Sequence, residues 1–230
     1  MKTEFILATT YLNEKDSKPG SVRVEVVEES FDEFIKNTAT DTFLGTREPM
    51  ETNKQLRQII PYIIVTQLDE NDVRKVVCYR RTNKVGEQRL AGNVSVGFGG
   101  HIELADVIPF VDVKSTFDLG KVIWNAALRE LHEEIVCEFD PAEFVYTSTR
   151  DVIAVHLVPA NLLLVNDSDE VGQVHLGVVF EMNLPKGITV KTAEDELASM
   201  EPRTIEDLFT QKEFPLEKWT EMYLRYKSNL

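Results

Sequence analysis

In Arg129-Glu130-Leu131-His132-Glu133-Glu134 three carboxylates fall at i, i+3 and i+4. On a helix that spacing sets them side by side, where each exposed like-charge pair costs a few tenths of a kcal/mol. Such a cluster invites a cation. Oxygen-only ligands suit Mg²⁺ or Mn²⁺, and Mg²⁺ commonly bridges a few carboxylates to substrate phosphates. The same residues would also serve as a solvated helix face. Upstream, "VSVGFGGHIE" alternates apolar and small residues and ends in Gly99-Gly100. Glycines there let the backbone turn tightly and leave a carbonyl open to a metal site, without a Cβ in the way.

The carboxylates need a helix to carry them, and "LGKVIWNAALRELHEEIV" supplies the pattern. At about 100° per residue, Trp124, Leu128, Leu131 and Ile135 form an apolar stripe with the glutamates in a sector opposite its centre. Upstream, "FILATTYL" and "SVRVEVVEE" flank a Lys18-Pro19-Gly20 turn and read as a hairpin, and Ser30 caps a short helix in "SFDEFIKNTA". "QIIPYIIVTQL" and "KVVCYRRT" read as strands around an acidic turn. "ANLLLVN", "VHLGVVFEMNL" and "ITVKTA" follow as strands, and "TIEDLF" and "PLEKWTEMYLRYK" as helices. Strands on both sides of the central helix predict an α+β layer fold. An amino-terminal extension, 1–55, and a main domain, 56–230, are the expected divisions.

At 230 residues, 43% of them apolar, the chain can bury a core. A net charge of −14 opposes nucleic-acid polymers as partners, and an anionic substrate would need divalent cations or local Arg and Lys to offset that field. No apolar run reaches the roughly 18 to 20 residues of a membrane span, and "MKTEFILATTYLNEKD" lacks the parts of a secretory signal, so the chain reads as cytoplasmic. Cys78 and Cys137 lack CxxC spacing and read as buried thiols.

The array from Gly100 to Glu134 resembles the Nudix hydrolase signature, G-x5-E-x7-R-E-U-x-E-E-x-G-U with U aliphatic. Gly100 matches its opening glycine, and Arg129, Glu130, Leu131, Glu133 and Glu134 match R-E-U-x-E-E. The similarity covers roughly Gln58 to Glu134, with weaker echoes in "VHLGVVFEM" and "PLEKWTEMY". Two features depart from it. Between position 106 and Arg129 lie 22 residues where the signature has seven, an insertion centred on 104–118. The signature's first glutamate is replaced by Asp106, counting forward, or Lys121, counting back, and Val136 stands where the final glycine belongs.

The resemblance implies a Nudix fold, a mixed β-sheet sandwiched between helices, here with an N-terminal β-hairpin and helix extension. It implies Mg²⁺-dependent, or Mn²⁺-dependent, hydrolysis of a nucleoside diphosphate linked to another group, such as ADP-ribose, a nucleotide sugar or a nucleoside triphosphate. Glu130, Glu133 and Glu134 would hold metal with the Gly100 carbonyl, Glu130 would alternatively orient the water, and Arg129 would orient the glutamates. A carboxylate from outside the motif would complete the site, the candidates being Glu170, Glu181, Glu194 and Glu196; Glu103 is a further one. Arg80 and Arg81 end a strand and Arg89 lies on the following loop, so these are the candidate phosphate-binding residues, with at most one of the adjacent pair reaching a phosphate from one face. His101, His132, His156 and His175 read as structural or exposed. Tyr62, Phe98, Phe110 and Trp124 are aromatics available in type for base stacking, Trp124 sitting on the core stripe. A homodimer fits the extension. The missing first glutamate leaves a second reading, a nucleotide-binding module without activity.

Overall fold

The computed structural model describes residues 3–12, 22–82, 92–112, 116–193, 197–211 and 213–229. In chain order the elements are β1 (Phe5–Thr9), β2 (Val24–Glu28), α1 (Phe31–Thr38), β3 (Thr42–Thr46), α2 (Arg47–Met50) and β4 (Arg57–Leu68). Next come β5 (Arg74–Val76), β6 (Tyr79–Arg81), β7 (Val94–Ser95), β8 (Gly97–Phe98), α3 (Leu104–Val107), α4 (Leu119–Glu134), β9 (Ile135–Glu138) and α5 (Thr149–His156). The chain ends with β10 (Leu157–Asn166), β11 (His175–Asn183), β12 (Thr189–Thr192), β13 (Leu197–Ser199), α6 (Ile205–Thr210) and α7 (Lys218–Ser228). The architecture is α+β, a mixed sheet flanked by helices. No helix among the described residues is long and apolar enough to cross a membrane.

Two compact units make up the chain. The first comprises Met1–Tyr62, Gly100–Ala127 and Pro159–Val179. Its strands lie in the order β2-β10-β11-β4-β1-β3. The expected hairpin of the first two strands is not formed. β1 pairs with β3 from Phe5↔Thr46 to Thr9↔Thr42 and with β4 at Ala8↔Gln58, whereas β2 pairs with β10. Burial agrees with this: Ile6, Leu7 and Ala8 are consecutive buried residues, so both faces of β1 are covered, as suits a strand inside the sheet, while the partly exposed β2 suits an outer strand. The Lys18-Pro19-Gly20 turn lies outside the described residues. α1 begins as expected, with Ser30 Oγ accepting from Glu33 N at 3.2 Å.

A buried guanidinium ties this unit together. Arg57, 3% exposed, donates to Asp167 Oδ1 at 2.6 Å and to the carbonyls of Leu12, Gly172 and His175 at 3.2, 3.2 and 3.3 Å. Five donors fixed on one planar group let a single buried side chain serve several acceptors at once.

The second unit comprises Ile63–Gly99, Leu128–Val158 and Phe180–Leu230. Here β5 and β8 pair with the end of β4, β9 pairs with β12, and β13, β6 and β7 form a three-stranded sheet. The single strand expected over "KVVCYRRT" is two, β5 and β6, on different partners. α4 stops at Glu134. The four residues after it alternate buried and exposed, and pair with β12 from Ile135↔Thr192 to Glu138↔Thr189, so a β-branched, two-sided pattern ends the helix without a glycine. Cys78 and Cys137 are both buried in this unit, and burial pushes their thiols up to about 11 and about 12.

Candidate functional site

α4 presents its close-packed face through small and β-branched residues. Val122, Ile123, Ala126, Ala127 and Leu131 are buried, while Trp124 and Leu128 of the expected stripe are partly exposed. Steps of four and four from Ala126 lead to Glu130 and then Glu134. These two carboxylates therefore continue the buried side of the helix instead of opposing it. Glu134 is 7% exposed and the Glu130 side chain 13%, against 51% for Glu133.

Carboxylates taken out of water need donors or cations. Glu134 Oε2 accepts from Gly99 N at 2.6 Å, and Gly99 adopts φ of +136°, a conformation open to glycine. Gly100, the expected carbonyl ligand, is the next residue along. Arg129 closes on the other two glutamates, at 2.9 Å from Glu130 Oε1 and 3.1 Å from Glu133 Oε2. The i, i+4 spacing makes the second contact local, and one guanidinium fork reaches both carboxylates. As placed, no three His, Cys, Asp or Glu side chains among the described residues converge to hold an ion.

A buried polar group surrounds the glycine turn. Tyr79, wholly buried, donates from its hydroxyl to Gly97 O at 2.6 Å. Arg81 forms an ion pair with the buried Glu217, which precedes the first residue of α7, and stacks over Tyr79 at 5.6 Å. Burial drives the Tyr79 phenol far above its ordinary value, so it stays neutral; for Arg81, burial alone would lower the guanidinium, but the carboxylates of Glu217 and Glu134 outweigh it and raise it. Arg80, on the opposite face of β6, lies over the Phe214 ring at 4.6 Å. Arg89 lies outside the described residues. The Arg81–Glu217 pair spans 136 positions of sequence, so no local spacing announces it.

The other candidates have their own engagements. Asp106 is buried and caps α3, accepting from Glu103 N at 2.9 Å while Glu103 accepts from the Asp106 amide. Lys121 is exposed and pairs with Asp118 at 3.0 Å. His175 Nδ1 donates to Val171 O at 2.7 Å, which leaves Nε2 of the neutral ring to accept from His101 Nε2 at 3.3 Å. Burial, then His175 and Arg47, push His101 down to about 3. His156 meets the Tyr146 hydroxyl at 2.7 Å, and His132 is exposed. Tyr62 and Phe98 are buried and closed to a base, whereas Phe110 and Trp124 are partly exposed. Glu170 is exposed, and Glu194 and Glu196 lie outside the described residues.

Glu181 is held by Lys227 Nζ at 2.7 Å and the Tyr223 hydroxyl at 2.8 Å. Burial raises its pKa, yet these partners outweigh it and leave the carboxyl below its ordinary 4.5. A depressed folded value means the stabilisation is present above 4.5 and is lost as pH falls through the lowered value. Urea unfolding followed from neutral pH down into the acid range should therefore show Glu181→Gln flattening the acid-side loss. An unaltered slope would refute the assignment.

No family model matches the chain. Protein YmaB of Bacillus subtilis (strain 168) is 28% identical over 151 residues, 65% of this chain, which spans 60% of that relative's length. Among solved structures, Tm1382, described as a candidate Nudix hydrolase, superposes with a TM-score of 0.65 at 18% identity, over 98% of this chain and 99% of its own. The chain has the Nudix fold. A Nudix hydrolase from Alicyclobacillus acidocaldarius aligns at a TM-score of 0.50 and 16% identity, over 74% of this chain and 90% of its own. Within this Nudix fold, α4 carries the Arg129–Glu134 motif, and the glycine turn donates to its last carboxylate.

Proposed function

We propose that the chain is a Nudix phosphohydrolase that cleaves a diphosphate linkage in a nucleoside diphosphate derivative, using Mg²⁺ or Mn²⁺. The observation that carries this is the placement of Glu130 and Glu134 on the buried side of α4, each engaged by a donor. Surface decoration would leave both carboxylates in water. The oxygen-only donor set fits a hard divalent ion, and Glu130, Glu133 and Glu134 would hold it. A bound ion would supply charge neutralisation and lower the pKa of coordinated water.

The protein's own part is orientation. Arg129 draws Glu130 and Glu133 together, and Gly99 N–H engages one oxygen of Glu134. An ion would compete with the guanidinium for Glu130 and Glu133, so the site is balanced between an internal and an external cation. Phosphoryl transfer asks mainly for alignment and electrostatic stabilisation, which such a constellation provides.

The test is phosphate-product detection over nucleoside diphosphate sugars, ADP-ribose and nucleoside triphosphates, with and without Mg²⁺ or Mn²⁺. Metal-dependent turnover on one class supports the reading and names the substrate. A binding module without activity is the second reading, and the engagement of Asp106 in a helix cap, away from any role as the signature's first glutamate, favours it. Nucleotide binding without turnover on every compound would select that alternative.

A further inference from the structure

The segment "PLEKWTEMY" takes no part in the chemistry described so far, yet it grips the strand that carries the glycine turn. Val94 N donates to Pro215 O at 2.8 Å, and Val94 O accepts from Glu217 N at 2.9 Å. Two residues on, Val96 N donates to Thr220 Oγ1 at 3.1 Å. Alternate amides of an extended strand point the same way, so both contacts face α7. Glu217 and Thr220 are three apart, at the start of one helix, and are 6% and 0% exposed. Glu217 also takes the Arg81 guanidinium, and Tyr79, two residues before Arg81, holds Gly97 O.

Gly97, Gly99 and Gly100 have no side chains with which to fix themselves, and glycine loses the most conformational freedom on ordering. The turn therefore depends on partners outside it for its register. The last described contact in the series is Gly99 N to Glu134 Oε2 at 2.6 Å, three residues beyond Val96. We propose that Glu217 and Thr220 are positioning residues, and that the first turn of α7 is a clamp that sets the register of 94–99 and so aims the Gly99 N–H that orients Glu134. This rests on Glu134 belonging to the reactive site proposed above.

Thr220→Val removes the hydroxyl acceptor at nearly constant volume, and Thr220→Ser retains it. Exchange of the Gly99 amide, followed by NMR, reads the clamp without reference to activity. The expected result for Thr220→Val is Gly99 exchange faster by about tenfold or more. Its Mg²⁺ activation midpoint should rise and kcat fall about tenfold, with KM within about twofold. Thr220→Ser should stay near the natural protein in all of them. A purely structural threonine would lower Tm and leave Gly99 exchange, the metal midpoint and kcat per folded molecule in place, which would overturn the proposal. If Thr220→Val does not fold, Thr220→Ala gives the same readouts. Absent turnover in the natural protein, with Gly99 exchange still answering to Thr220, would remove the hydrolase reading and leave the clamp standing. Metal-dependent turnover with Gly99 unaffected by the loss of the hydroxyl would do the reverse.

Discussion

Glu133→Gln combined with Glu134→Gln lowers metal-dependent turnover by about three orders of magnitude or more, if the α4 carboxylates are the metal ligands. The amide replacements keep the shape of both side chains, and the one at position 134 would still offer an oxygen to the Gly99 N–H now found 2.6 Å from the Glu134 carboxylate. They relieve like-charge repulsion at the loss of the exposed Arg129–Glu133 ion pair, two small effects of opposite sign, so thermal stability should hold. Loss of activity without loss of Tm is thus the signature of a site, measured by kcat and by calorimetry on the same preparations. Turnover within tenfold of the natural protein would sink the metal assignment.

Arg57→Met should cost the chain far more stability than the glutamate or threonine changes. The substitution keeps an apolar stem but strips the donors from Asp167 Oδ1 and from the carbonyls of Leu12, Gly172 and His175. Removing one partner of a buried ion pair costs about 3–5 kcal/mol, because the groups left behind stay desolvated without compensation. For a chain of this length that corresponds to a Tm lower by about 10 °C. Urea denaturation of Arg57→Met, Asp167→Asn and the double variant would apportion the loss. A cost under about 1 kcal/mol for Arg57→Met would show that water replaces the guanidinium.

Much of this architecture is legible in the sequence where the signal is local. Ser30 capping α1, the long buried run of β4 and the i, i+3, i+4 glutamates of α4 each announce themselves within a few residues. What escapes a sequence reading depends on partners far away. β1 and β2 each have strand character, but nothing local says that β1 turns to β3 and β4 while β2 goes to β10. The apolar stripe of α4 misleads because Trp124 and Leu128 are its larger residues. Close approach is granted instead by Ala126 and Ala127, and it carries Glu130 and Glu134 inward with them. On local evidence Arg81 is available to a phosphate, whereas in the fold Glu217, 136 positions later, supplies its counter-charge.

The two buried cysteines give the second unit a chemical clock. With thiols at about 11 and about 12, and side chains shielded from reagent, neither Cys78 nor Cys137 should be alkylated at neutral pH while the unit is closed. Each modification event then counts one opening. Mass spectrometry of labelling at Cys78, just before β6, and at Cys137, in the strand leaving α4, would follow the breathing of the unit at two places without an engineered reporter.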